Sequence, residues 1–93
     1  MTAQEAAVVR EILRVAGQQP GLEGLPPSPG EPLAGRLDSL QLLTLVVAVE
    51  DRFQLVITDD DAARATTLEE VARLVIERAS PSRLPPLAQE GRG

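Results

Sequence analysis

Ser39 stands between Asp38 and Leu40 at the head of the longest apolar segment of the chain, residues 40–53, which contains neither Gly nor Pro. Asp38 is a strong helix N-cap, and Gln41 three residues later completes a capping box, so a helix is predicted over 39–53. Ser39 then falls at the first helical position. Its hydroxyl is expected to face solvent beside the positive end of the helix dipole, where a phosphate attached to it would be favoured. An Asp-Ser pair before an apolar run is also an ordinary capping signal, so the pair alone does not decide between a structural and a chemical role.

The residues that are absent narrow the chemistry. The chain has no His, Cys, Lys, Tyr or Trp, which removes the common general bases, the soft metal ligands and the Schiff-base amines. Ser39 has no base of its own, so a Ser-His-Asp hydrolase is excluded. A paired-carboxylate enzyme would lack a substrate pocket lined with aromatic rings. Neither a catalytic residue nor a metal site is expected in the chain; chemistry at Ser39 would require an enzyme that acts on it. Without cysteine the redox compartment is unconstrained. No apolar run reaches the roughly 20 residues of a membrane span, and the amino terminus lacks a basic-then-apolar leader pattern, so a cytoplasmic protein is expected.

The elements that must position Ser39 are legible from periodicity. Residues 3–16 carry Val8, Ile12, Val15 and Ala16 on one face, an amphipathic first helix closed by Gly17. Residues 17–37 hold five glycines and five prolines, a long loop whose Leu22, Leu25, Leu33 and Leu37 are placed to pin it to a core. A short helix is predicted at 59–64 after Thr58, and a last one at 67–79, with Leu68, Val71, Ala72, Val75 and Ile76 at helical spacing and a second capping box at Thr67 and Glu70. Residues 80–93, rich in Pro and Gly, are expected to form a disordered tail. In the second helix Leu42, Leu45, Val46, Val49 and Phe53 share a core face. Leu40 and Leu43 fall nearer the outside, and Val47 is open to either assignment.

The formal charge of −5 is unevenly placed. Residues 50–70 hold Glu50, Asp51, Asp59, Asp60, Asp61, Glu69 and Glu70 against Arg52 and Arg64, and elsewhere acids and arginines balance. Such a field argues against nucleic acid and anionic membranes as partners and favours basic protein surfaces. The same acids also suit the first turns of solvated helices, and the two roles are compatible.

Four stretches together resemble an acyl carrier protein: Leu37-Asp38-Ser39-Leu40; the apolar helix closing in Glu50-Asp51-Arg52-Phe53; the turn Val56-Ile57-Thr58-Asp59-Asp60-Asp61; and Ala65-Thr66-Thr67-Leu68. Their mutual distances match the family. The resemblance implies an all-α four-helix bundle of acyl-carrier type with a long first loop and a short third helix, the carrier domain spanning 1–79. It implies a 4'-phosphopantetheine, derived from coenzyme A, on Ser39, with Asp38 and Leu40 completing the attachment motif. It further implies partner contacts through Leu40, Leu43, Val47, Glu50, Asp51 and Asp59, and an acyl cleft bordered by Val46, Ala62, Ala65 and Leu68. The expected partners are a phosphopantetheinyl transferase and acyl-loading or acyl-processing enzymes such as ketosynthases, acyltransferases or ligases, with the chain a monomer.

The sequence also departs from that pattern. Gln41 and Thr44 stand where carriers of fatty acid synthesis usually bear acids, so docking at the head of the second helix is expected to be less electrostatic. Ala65 stands where a larger aliphatic residue is common. Gly-Gly-x-Ser-Leu and His-Ser-Leu, typical of peptidyl carriers, are missing, although free-standing aminoacyl carriers also read Leu-Asp-Ser. Arginine without lysine, beside many Ala, Gly and Pro, suggests a GC-rich genome and favours secondary metabolism, polyketide or related. The expected function is therefore a free-standing, non-catalytic acyl carrier. The alternatives are an aminoacyl or peptidyl carrier and an unmodified helical adaptor.

Overall fold

The computed structural model describes residues 1–23 and 28–86. Among these the chain forms four α-helices and no strand: α1 (Ala3–Ala16), α2 (Ser39–Phe53), α3 (Asp59–Arg64) and α4 (Leu68–Arg78). The all-α carrier-type bundle is thus the fold. Each helix opens on the same device, a capping box, with Thr2 and Glu5, Asp38 and Gln41, Thr58 and Asp61, and Thr67 and Glu70 as the reciprocal pairs. Every first turn therefore has two of its orphan donors satisfied by side chains, which fixes where each helix begins. α4 is one residue shorter at each end than the expected 67–79, because Thr67 and Ala79 serve as its caps.

α1 lies chiefly against α4 and secondarily against α2. Val8, Ile12 and Ala16 of α1 meet Leu45, Val49 and Phe53 of α2 and Leu68, Val71, Ala72 and Val75 of α4 in one buried cluster. Phe53, the chain's single aromatic residue, is fully buried at its centre. Truncating it to Ala would remove about 3–5 kcal/mol through lost apolar contact and an unfilled cavity. Leu42 and Val46, expected in the core, are only half-buried, and Val15 likewise. α2 is apolar nearly all round, so its periodicity does not distinguish the core face from its flanks.

The described parts of the long first loop, residues 17–23 and 28–37, are held to the bundle. Leu22, Leu33 and Leu37 are buried in the core, while Leu25 lies outside the described residues. Backbone bonds stitch the loop to the head of α4: Leu33 N–H donates to the Thr66 carbonyl at 2.9 Å, and Glu69 N–H donates to the Pro29 carbonyl at 3.1 Å. A single turn of 3-10 helix, Leu33–Gly35, delivers the chain to α2. α1 ends at Gly17 in a right-handed conformation, so no left-handed glycine terminates it. Among the described residues the glycine with a positive φ is Gly21, at 89°.

The expectation of a disordered tail from residue 80 is corrected for its first part. Pro81–Arg83 forms a 3-10 turn, and Leu84 packs against the core cluster. The Arg83 carbonyl accepts a bond from Arg52 Nη1 at 3.0 Å, and Arg52 Nε also reaches Glu11 at 2.6 Å. One guanidinium thereby joins α1, α2 and this segment. Residues 87–93, the rest of the expected tail, lie outside the described residues.

Candidate functional site at the head of α2

Ser39 is the first residue of α2 and is exposed. The cap is made by its neighbours. Gln41 N–H donates to Asp38 Oδ1 at 2.8 Å, and Asp38 N–H donates to Gln41 Oε1 at 2.8 Å. Asp38 is thus committed to the cap, and the hydroxyl of Ser39 takes no part in it. A phosphodiester on that oxygen would extend into solvent at the positive end of a 15-residue helix, a position that favours an anion. The site accommodates such a group without displacing any bond of the first turn.

Beyond Ser39 an apolar row faces outward. Leu40, Leu43 and Val47 are 72%, 58% and 53% exposed, and Val56 in the connection after α2 is 70% exposed. Val47, open to either assignment from sequence, is therefore a surface residue. Grooves flank this row on both sides, and both are bordered by Val47 and Asp51. Val56, which sequence reasoning missed, borders one of them; its place outside regular structure left no periodicity to reveal it.

The acids expected to serve partners divide into two kinds. Asp51, Asp59 and Asp60 are exposed. Glu50 is half-buried, and its Oε2 accepts from Ile57 N–H at 2.7 Å, so it also ties down the turn after α2. Asp61, part of the expected acidic field, is turned inward: it is 5% exposed and gripped by Arg78. The bonds from Arg78 and the Thr58 cap hold its carboxyl well below the usual carboxylate range.

A cavity of about 110 Å³ opens between α2, α3 and α4. Val46, Ala62 and Ala65, three of the four expected cleft residues, border it together with Leu42, Ile57 and Leu74. Leu68, the fourth, does not: it is fully buried in the core cluster. Thr67 caps α4, which turns the next side chain inward, whereas Leu74 reaches the cavity. Every bordering side chain is apolar. Its volume falls somewhat short of the roughly 150 Å³ that admits a benzene ring in an apolar core.

An exposed serine thus heads a capped apolar helix within this four-helix bundle. The chain matches the family model described as "Phosphopantetheine attachment site" over residues 6–75, and it belongs to that family. Neither a comparison with curated proteins nor one with solved structures gives a match. The prosthetic group of the family is a covalently attached 4'-phosphopantetheine, and its carrier domains work with phosphopantetheinyl transferases and biosynthetic enzymes. Among the described residues no helix is long and apolar enough to cross a membrane.

Proposed function

We propose that Ser39 is the attachment serine and that the chain acts as an acyl carrier of secondary metabolism, polyketide or related. The observation that carries this reading is the exposure of Ser39 at the first position of α2 while Asp38 and Gln41 alone make the cap. When attached, the prosthetic group supplies a thiol on a flexible arm that holds an acyl group as a thioester. The chain itself performs no catalysis. It presents the serine, offers Leu40, Leu43 and Val47 to partner enzymes, and steers basic partner surfaces through Asp51 and Asp59. The transferase brings the base that takes the Ser39 proton.

The wholly apolar border of the cavity supports an acyl over an aminoacyl cargo, because burying an ammonium group with no polar partner is costly. The small side chain of Ala65 contributes to that space. The test is the thermal midpoint of the holo protein against its acyl-loaded form, since a cargo that enters the bundle binds only the folded state and stabilises it. A short, branched acyl group is expected to raise the midpoint of the wild type, and Ala65→Ile is expected to diminish that gain by filling the space. If loading shifts neither protein, the cargo rides outside and the cavity has no part in holding it.

A further inference from the structure

Gln41 makes a bond that its capping role does not require. While Oε1 accepts from Asp38 N–H, Nε2 donates to the Gly21 carbonyl at 2.8 Å, twenty residues earlier in the first loop. The orientation of the amide is unambiguous. A flipped amide would set NH2 against the Asp38 N–H and an oxygen against the Gly21 carbonyl, two like pairings at once. A carboxylate would serve the cap equally well, but it has no proton to give the carbonyl. The amide is the side chain that completes both ends.

The bond acts at a well-defined point of the loop. Gly21 has φ of 89°, a conformation other residues adopt only with strain, and next to it Leu22 is buried in the core. Leu22 N–H donates to the Gln19 carbonyl at 3.2 Å, closing residues 19–22 into a turn. Gln19 in turn borders the groove beside α2 that Leu43, Thr44, Val47 and Asp51 also border. The wall of that groove opposite the exposed helix face is therefore loop, and Gln41 is the side chain that ties this turn to the helix two residues past Ser39.

We propose that Gln41 is a positioning residue whose side-chain amide clamps residues 19–22 to the head of α2, so that the transferase reads a groove with two fixed walls rather than a bare helix face. The proposal rests on the reading of Ser39 as the modified residue. It predicts that the bond acts on recognition and leaves the chemistry at Ser39 Oγ untouched.

Two variants separate the clamp from the cap. Gln41→Glu keeps both bonds of the cap and loses the loop bond, whereas Gln41→Met loses the loop bond and the acceptor for Asp38 N–H, keeping only the backbone bond to Asp38 Oδ1. In each, hydrogen exchange at the Leu22 amide is expected to accelerate by about tenfold, the effect of one hydrogen bond. Exchange at the Asp38 amide is expected to stay protected in Gln41→Glu and to rise in Gln41→Met. With a broad-specificity transferase and coenzyme A, Gln41→Met is expected to raise KM for the carrier several-fold at unchanged kcat. Unchanged Leu22 exchange in both variants overturns the clamp. Faster Leu22 exchange with unchanged KM overturns the positioning role, as does a loss confined to kcat. Should the transferase leave the folded wild type unmodified, the reading of Ser39 fails, and the exchange data still judge the clamp independently.

Discussion

Arg78 of α4 grips Asp61 of α3 through two parallel bonds, Nη1 to Oδ2 at 2.8 Å and Nη2 to Oδ1 at 2.9 Å. The same carboxylate accepts from Thr58 N–H at 3.1 Å, so one side chain both opens α3 and moors it to α4. α3 has six residues, too few to be stable as an isolated helix. It nevertheless supplies Ala62 to the cavity and is followed directly by its C-cap Ala65, which also borders it. The shape of the candidate acyl site thus depends on an ion pair outside it.

Replacing Arg78 by Met keeps much of the aliphatic stem and removes the bidentate partner of a buried carboxylate. The thermal midpoint is expected to fall by several degrees, and amide exchange to rise in α3 while α1 stays protected. Uniform protection across all four helices after Arg78→Met would show that α3 is moored by something else.

The two most strongly perturbed acids set an acid limit on stability. Glu11 is held at about 2 by Arg14 and then Arg52, below its ordinary 4.5, and Asp61 is depressed still further by Arg78. A carboxylate whose folded pKa is lowered contributes fully above its unfolded pKa and loses that contribution as pH falls toward the folded one. Stability to urea is therefore expected to be steady at neutral pH and to decline from about pH 4.5 down to about 2. Glu11→Gln should be less stable at pH 7 and lose less over that interval; parallel profiles for the two proteins would contradict the assignment to Glu11.

The exposed and the committed acids should respond differently. Asp51→Asn with Asp59→Asn is expected to slow association with a basic partner and to flatten its salt dependence, with stability within about 0.5 kcal/mol of wild type. Glu50→Ala leaves the Ile57 N–H without its acceptor and is expected to cost about 1–2 kcal/mol. Equal, negligible effects on stability from all three would show that Glu50 has no structural role.

Much of this was legible in the sequence because it is encoded locally. The capping boxes at Asp38 and Thr67 lie within four residues, and periodicity identifies the core faces of α1 and α4. Legibility ended where position depends on packing between distant segments. Leu68 belongs to the apolar pattern read for α4 and Leu74 does not, and only the approach of α2 and α3 decides that Leu74 borders the cavity while Leu68 is interred. Asp61 reads as one of three equivalent acids until Arg78 arrives from 17 residues away. Leu84 sits among prolines that signal disorder, yet Arg52 holds the adjoining carbonyl and brings it to the core. The second bond of Gln41 spans 20 residues, and nothing local announces it.

The central claim is that Ser39 bears the prosthetic group, and intact-protein mass tests it most directly. After incubation with a broad-specificity phosphopantetheinyl transferase, coenzyme A and a divalent metal, the wild type is expected to gain the mass of one phosphopantetheine. Ser39→Ala, confirmed as folded, is expected to gain none. Fragment masses should place the addition within the peptide containing Asp38, Ser39 and Leu40. A folded wild type that stays unmodified, or an addition at Ser28, Ser80 or Ser82 that persists in Ser39→Ala, would contradict it.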